Sequence, residues 1–272
     1  MQSAIRGQYF LMDRTLKSVN FFNATIAPDE VCVYEVFRIQ ASTPLFLDDH
    51  LNRLTHSLKT AGKVSPVRIS MLPRRLQVLY TANNINDGNV KLDLRFKNNG
   101  DAYFLAYFIP ARYPNEAERK EGIVCTLQYD ERTHPTAKIY NASIRNKAND
   151  IIAQEHVYET LLVNHRHALT EGSRSNLFFI KDDTLITAKE QEVLPGIMRQ
   201  QIINCALELK IKIVYRSLPM DELPVMEAAF ISGTSPRLLP IRRIDEHPFQ
   251  ANHPLLIRLR DSLEERITMQ LK

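Results

Sequence analysis

Short runs of alternating or wholly apolar residues, set between longer stretches with an apolar residue every three or four positions, divide the chain into strands and helices. Residues 33–39 (VYEVFRI) and 90–96 (VKLDLRF) are rich in β-formers, the second alternating in period two, and 103–109 (YFLAYFI) is almost wholly apolar and aromatic. These predict three strands of one sheet. Between the first two, Leu51, Leu54, Leu58 and Ala61 recur at three and four residues behind an Asp48/Asp49 N-cap, with Gly62 as a stop signal. That pattern is an amphipathic helix. A second helix is expected over about 74–84, with Pro73 in its first turn.

The segment 109–122 (IPARYPNEAERKEG) carries two prolines, a glycine and a charge cluster that interrupt the pattern on both sides. The domain boundary is placed there, with a small N-terminal α/β domain over 1–112 and a larger C-terminal domain over 113–272. The second half reads as strand 123–128, a loop to Lys138, helix 143–156, strands 158–163 and 176–181, a helix from Gly196 to about 210, strands 211–216 and 228–232, and a last helix at about 253–271. Leu255, Leu259, Leu263 and Ile267 line one face of that last helix. Strands and helices mix without a strict βαβ rhythm, so an α+β arrangement is expected rather than a doubly wound sheet.

Composition narrows the function classes. Of 272 residues, 44% are hydrophobic and 24% charged, the balance of a globular chain long enough for two lobes. The net charge of +4 comes from 35 basic and 31 acidic residues that are interspersed, not gathered into the stripe that nucleic-acid binding requires. Cys32, Cys125 and Cys205 are far apart and show no metal-ligand spacing, so no metal is expected and a reduced, cytoplasmic setting fits. The opening MQSAIRGQYFLMDR lacks the apolar stretch of a signal peptide, and no long uncharged apolar run suggests a membrane span. Dinucleotide, P-loop, zinc-protease and hydrolase motifs are all missing.

What remains is an ordered set of fragments: TAKIYNASIRNKA at 136–148, YETLLV at 158–163, LTEGSRSNLFFIKDDTLIT at 169–187, LPGIMRQ at 194–200 and FISGTSPRLLPIRRID at 230–245. Their order and spacing resemble the class IV aminotransferases, the group of D-amino-acid aminotransferase, branched-chain aminotransferase and aminodeoxychorismate lyase. The resemblance covers nearly all of residues 130–246, and 33–58 more thinly. It implies a two-domain, D-amino-acid-aminotransferase-like fold-type IV enzyme with pyridoxal 5′-phosphate between the lobes. It also implies a homodimer, with amino acids and 2-keto acids as substrates.

The same resemblance assigns roles. Lys138, followed three residues later by Asn141 and then by Tyr158-Glu159, matches the lysine that holds the cofactor as a Schiff base and moves a proton to and from the substrate α-carbon. Glu171 in TEGSRSN matches the carboxylate that keeps the pyridine nitrogen protonated. The phosphate would be held by Arg53, by the Gly196–Ile197 helix start and by Thr234. Ser173, Ser175 and Asn176 are expected to fix the turn around Glu171 by bonds to backbone.

Substrate contacts are more open, because FNATIAPDEVCVYEV lacks the glycines that relatives carry before their first active-site strand. Tyr34 matches a substrate-facing tyrosine, and Arg95, Arg174 and Arg237 are rival clamps for the substrate carboxylate. The expected reaction is amino transfer between an amino acid and a 2-keto acid, with pyruvate-releasing lyase chemistry as the alternative. A cofactor-less scaffold is disfavoured, since it would need none of Lys138, Glu171, Arg53 and Gly196.

Overall fold

The computed structural model describes residues 5–271, so the first four residues of the opening segment lie outside the described residues. The chain forms two compact units, one of Met1–Arg112 with Ala137–Tyr140 and Gln270–Lys272, the other of Tyr113–Thr136 with Asn141–Met269. The expected division left Lys138 in the C-terminal part, whereas the segment around it lies with the first unit. The reason is backbone pairing to a strand there.

In the first unit the elements run β1 (Arg6–Met12), β2 (Thr15–Ser18), β3 (Val31–Gln40), β4 (Thr43–Pro44), α1 (Leu47–Thr60), α2 (Leu72–Asn83), β5 (Gly88–Phe96) and β6 (Ala102–Ile109). Among the described residues they make one six-stranded sheet in the order β2-β1-β6-β5-β3-β4. Period-two alternation splits its faces. Val33, Phe37 and Ile39 of β3, Val90, Leu92 and Leu94 of β5, and Phe104 and Phe108 of β6 bury one face against Leu51, Leu54 and Leu58 of α1 and Leu72, Leu76 and Leu79 of α2. The other face carries Cys32, Tyr34, Lys91, Asp93, Arg95 and Tyr107. The expected N-cap of α1 is corrected: Phe46, in a left-handed conformation and with no side-chain bond, takes that position. Asp48 and Asp49 lie inside the first turn, where their charge favours the helix dipole.

The second unit runs α3 (Glu116–Glu121), β7 (Ile123–Tyr129), α4 (Ala142–Glu155), β8 (Glu159–Val163), β9 (Ala168–Gly172), β10 (Asn176–Lys181), β11 (Thr184–Thr187), α5 (Ile197–Glu208), β12 (Lys212–Tyr215), β13 (Leu218–Pro219), β14 (Ala228–Gly233), β15 (Arg237–Ile244), β16 (His247–Pro248) and α6 (Pro254–Gln270). Its sheet follows β12-β11-β10-β14-β15-β7-β8-β9-β13, and an additional β9–β10 pairing closes β10, β14, β15, β7, β8 and β9 into a ring. Leu161, Val163, Leu169, Leu177, Phe179, Ile231, Leu239 and Ile241 belong to the core of this ring. The closing rung is the pair Asn176–Glu171, so the fold itself fixes where Glu171 stands. α3, absent from the sequence reading, starts with a capping box between Asn115 and Glu118.

Candidate functional site

In the first unit, the segment bearing Lys138 adds to the open edge of β3. Ile139 pairs antiparallel with Val33, Tyr34 N–H donates to the Lys138 carbonyl at 3.0 Å and Tyr140 N–H to the Cys32 carbonyl at 2.9 Å. Because Ile139 packs with Val33 on the helix-covered core, alternation sends Lys138 and Tyr140 to the opposite, polar face. There Lys138 Nζ lies 4.7 Å from the centroid of the Tyr34 ring, a cation–π distance. The Lys138 N–H donates to Ser57 Oγ on α1 at 3.0 Å. The backbone on both sides of the amine is therefore held, and only the side chain is left to move.

Arg53 lies one turn before Ser57 on α1 and is buried. Its Nε and one Nη donate to the two oxygens of Glu35 at 2.8 and 2.7 Å, and His50 Nδ1 lies 2.9 Å from Glu35 Oε2. Glu35 falls on the core face of β3 by alternation and is fully buried beneath α1. Burial would raise its carboxyl, yet the Arg53 charge and the bonds from Arg53 and His50 overcome that and hold it at about 2. Burial, together with the charges of Arg53 and Lys138, lowers His50 against the pull of Glu35. The sequence pattern points to Arg53 but not to the Glu35–His50 pair that orients it, although a glutamate between Tyr34 and Val36 in an apolar strand is the visible signal.

Arg95 stands on the same polar face as Tyr34, and its Nη atoms donate to the carbonyls of Thr25 at 2.6 Å and Ala24 at 3.1 Å and to Asp93 Oδ2 at 3.1 Å. It thus pins the segment ahead of β3 and keeps about 1% of its side chain exposed.

In the second unit, Glu171 Oε1 accepts from Arg132 Nε at 2.7 Å, and Oε2 accepts from Leu194 N–H at 3.1 Å and Asn176 Nδ2 at 3.3 Å. Asn176 Nδ2 also donates to the Leu194 carbonyl at 2.8 Å. The structure therefore brings Glu171 together with the Leu194-Pro195-Gly196 turn, and Gly196 is the N-cap of α5 without any side-chain cap. A Cβ on Gly196 would sit 1.9 Å from Asn176 Oδ1. Gly196→Ala is accordingly expected to drive Asn176 off Glu171 and Leu194 and to cost about 1–3 kcal/mol of stability. An unchanged midpoint in chemical denaturation would contradict the tightness of this contact.

The hydroxyls of Ser173 and Ser175 donate to the buried Glu159 carboxylate at 2.6 and 3.0 Å. This corrects the expected side-chain to backbone bonds for the two serines, whereas Asn176 does bond backbone, at the Leu194 carbonyl. Gly172 is required beside them, since a Cβ there would meet Ser175 Oγ at 2.1 Å. Thr234 opens the turn between β14 and β15, two residues after Ser232, which pairs with Asn176. The Ser232 hydroxyl is buried and meets no hydrogen-bonding partner among the described residues. Arg174 hydrogen-bonds Asn149 and Arg237 pairs with Glu264, so each is tied to a neighbour in its own unit. Arg132, which sequence reasoning missed, lies in an aperiodic loop that offered no signal.

Chemically, one unit presents a primary amine beside a tyrosine and a buried guanidinium. The other presents a buried carboxylate next to an uncapped helix start with a glycine cradle and an orphaned hydroxyl. Among the described residues there is no cluster of His, Cys, Asp or Glu able to hold a metal, and no helix long and apolar enough to cross a membrane.

Comparison with known proteins agrees in one direction. The family model described as amino-transferase class IV matches residues 32–244. A D-alanine aminotransferase of Listeria monocytogenes is 30% identical over 234 residues, which cover 78% of this chain and 78% of that protein. A probable branched-chain-amino-acid aminotransferase of Thermotoga maritima is 25% identical over 256 residues, 92% of this chain and 89% of the other. Among solved structures, the branched-chain amino acid aminotransferase of Thermobaculum terrenum in its PLP-form shares 21% identity and a TM-score of 0.81, covering 97% of this chain and 95% of that one. At that identity the likeness is one of fold.

Proposed function

The chain belongs to the class IV aminotransferases, and on that premise we propose that Lys138 is its catalytic amine, Glu171 its ring-nitrogen partner, and Arg53, Gly196, Ile197 and Thr234 its phosphate holders. The protein is a pyridoxal 5′-phosphate enzyme that moves an amino group between an amino acid and a 2-keto acid. The relatives named above are aminotransferases, and no feature of the site favours the lyase chemistry.

The residues present suit that cofactor. It needs an amine, a carboxylate and an anion cradle, and Lys138, the buried Glu171 and the Gly196 turn with the orphaned Ser232 hydroxyl meet that description. When bound, the cofactor supplies an electron-poor ring that accepts the electron pair left on the substrate α-carbon. Lys138 Nζ would hold the cofactor at its aldehyde carbon, and the same amine, when free, would serve as the base that moves the substrate α-proton. Glu171, held in place by Arg132, Asn176 and Leu194, would accept a hydrogen bond from a protonated ring nitrogen. Arg53, aligned by Glu35, supplies the cation for the phosphate, and the N–H groups at the start of α5 add their dipole. Tyr34 lies against the working amine and faces the substrate.

The observation that carries the assignment is the pinning of Lys138 on the polar face of β3 with its amine over Tyr34. The test is direct: the protein loaded with the cofactor should be yellow, borohydride should remove the colour, and peptide mapping should find the reduced adduct at Lys138. An adduct at any other lysine refutes the assignment. As part of the same reading we infer a cytoplasmic homodimer. The three cysteines are buried and unpaired, as in a reducing compartment, and Phe21 (79% exposed) and Tyr129 (60%) offer apolar surface to a second copy.

A further inference from the structure

The polar face of β3 and β5 holds a charged cluster that the roles above leave unused. Lys91, Asp93 and Arg95 occupy alternate positions of β5 and so point the same way as Tyr34 and Lys138. In the β3–β5–β6 register, Asp93 stands beside Tyr34, and Lys91 between Val36 and Tyr107. Lys91 Nζ lies 2.9 Å from Asp93 Oδ1 and 5.3, 5.8 and 5.9 Å from the ring centroids of Tyr34, Tyr107 and Tyr140. The Tyr34 ring is the one on which Lys138 also rests. The proposed catalytic amine and Lys91 therefore share an aromatic wall.

Charge counting shows what this cluster lacks. Asp93 is fully buried and already taken by Lys91, by Arg95 and by the Tyr107 hydroxyl at 2.9 Å. Glu30 accepts from the Tyr103 hydroxyl at 3.1 Å. Two cations thus face one carboxylate in a poorly solvated setting, where buried ion clusters add little stability of their own and an incoming anion is strongly favoured. Accessibility separates the two cations: the Lys91 side chain keeps 16% of its surface exposed and that of Arg95 only 1%. Arg95 also spends both Nη atoms on Thr25, Ala24 and Asp93.

Resting on the reading of Lys138 given above, we infer that Lys91, and not Arg95, is the specificity-determining cation that receives a carboxylate of the substrate. The ammonium meets it from the Tyr34 side, with Asp93 behind holding the lysine in place and the tyrosine rings walling off water. No bond is made or broken. The carboxylate is either the one on the α-carbon or one on the substrate side chain.

The experiment is calorimetric binding of pyruvate and of 2-oxoglutarate to the cofactor-loaded protein, with parent, Lys91→Met, Lys91→Arg and the double variant Lys91→Met/Asp93→Asn. The double variant removes both charges of the pair, so Asp93 is not stranded if the single variant folds poorly. Lys91→Met and the double variant are expected to raise the Kd by about tenfold or more, and Lys91→Arg to recover part of the loss. Loss for both keto acids places the α-carboxylate on Lys91, and loss for 2-oxoglutarate alone places the side-chain carboxylate there; both outcomes support the inference. A Kd unchanged in the charge-removed variants, or a parent that binds neither acid, overturns it. Failure of the parent reading shows separately, as the absence of a borohydride-reducible bond at Lys138.

Discussion

Replacing Lys138 by alanine is expected to remove the borohydride-reducible adduct and to lower turnover by at least about a thousandfold while leaving the fold intact. The side chain supplies both a nucleophile and a proton carrier, and general acid–base transfer alone is worth about 10²–10⁴. The fold should survive because the contacts at this position that hold the segment are made by its backbone: N–H to Ser57 Oγ and C=O from Tyr34 N–H. Alanine keeps both, and the neighbouring Ile139–Val33 pair is untouched. Peptide mapping after reduction, single-turnover kinetics and a melting curve together separate loss of the amine from loss of structure. A Lys138→Ala protein that melts normally and still yields a lysine adduct would place the amine elsewhere.

The parts of this site that the sequence made legible are those whose chemistry sits in a local pattern. Lys138, Glu171 and the Gly196 turn lie in contiguous fragments, and the strands that position them, β3, β5, β8 and β10, are short apolar or alternating runs. β15 stayed hidden because Arg237, Arg242, Arg243 and Pro240 mask a strand whose pairing with β7 slips between Ile241 and Arg243. Pro240 stands one residue ahead of Ile241, where the pairing with β7 begins. β9 was concealed by the glycine and serines of the TEGSRSN turn. Arg132 and His50 could not be read at all, since their roles depend on Glu171 and Glu35, which meet them only in three dimensions. Lys91 is readable in principle: K-D-R at alternate positions of a strand places all three on one face, with Lys91 as open to a carboxylate as Arg95. The lysine segment joined the first unit for a similar reason. The open edge of β3 beside residues 32–34 is created by β4 pairing only with Ile39 and Gln40, a feature of tertiary register that no local pattern carries.

Glu35 should make the protein acid-sensitive in a way that a single substitution exposes. Its carboxyl stands at about 2 in the folded protein against an ordinary 4.5, the Arg53 guanidinium and the bonds from Arg53 and His50 more than offsetting burial. A depressed carboxyl binds its proton less readily folded than unfolded. Its contribution is therefore complete above pH 4.5 and is lost as pH falls toward 2, and the difference amounts to about 3 kcal/mol. Glu35→Gln removes that titration and leaves Arg53 and His50 buried without their anion, so at neutral pH it is expected to cost about 3–5 kcal/mol. The gap between parent and variant should then narrow as the pH is taken from about 5 to about 2, since the parent alone gives up the ionised carboxylate. Denaturant unfolding of both proteins at stepped pH reads this directly. The same substitution loosens the guanidinium assigned to the phosphate, so it should weaken retention of the cofactor on dialysis at neutral pH, where Lys138 and its adduct are chemically unaltered. A stability gap that stayed constant across that acid range would mean that Glu35 is not the anion holding Arg53, and the alignment of Arg53 for the phosphate would lose its physical basis.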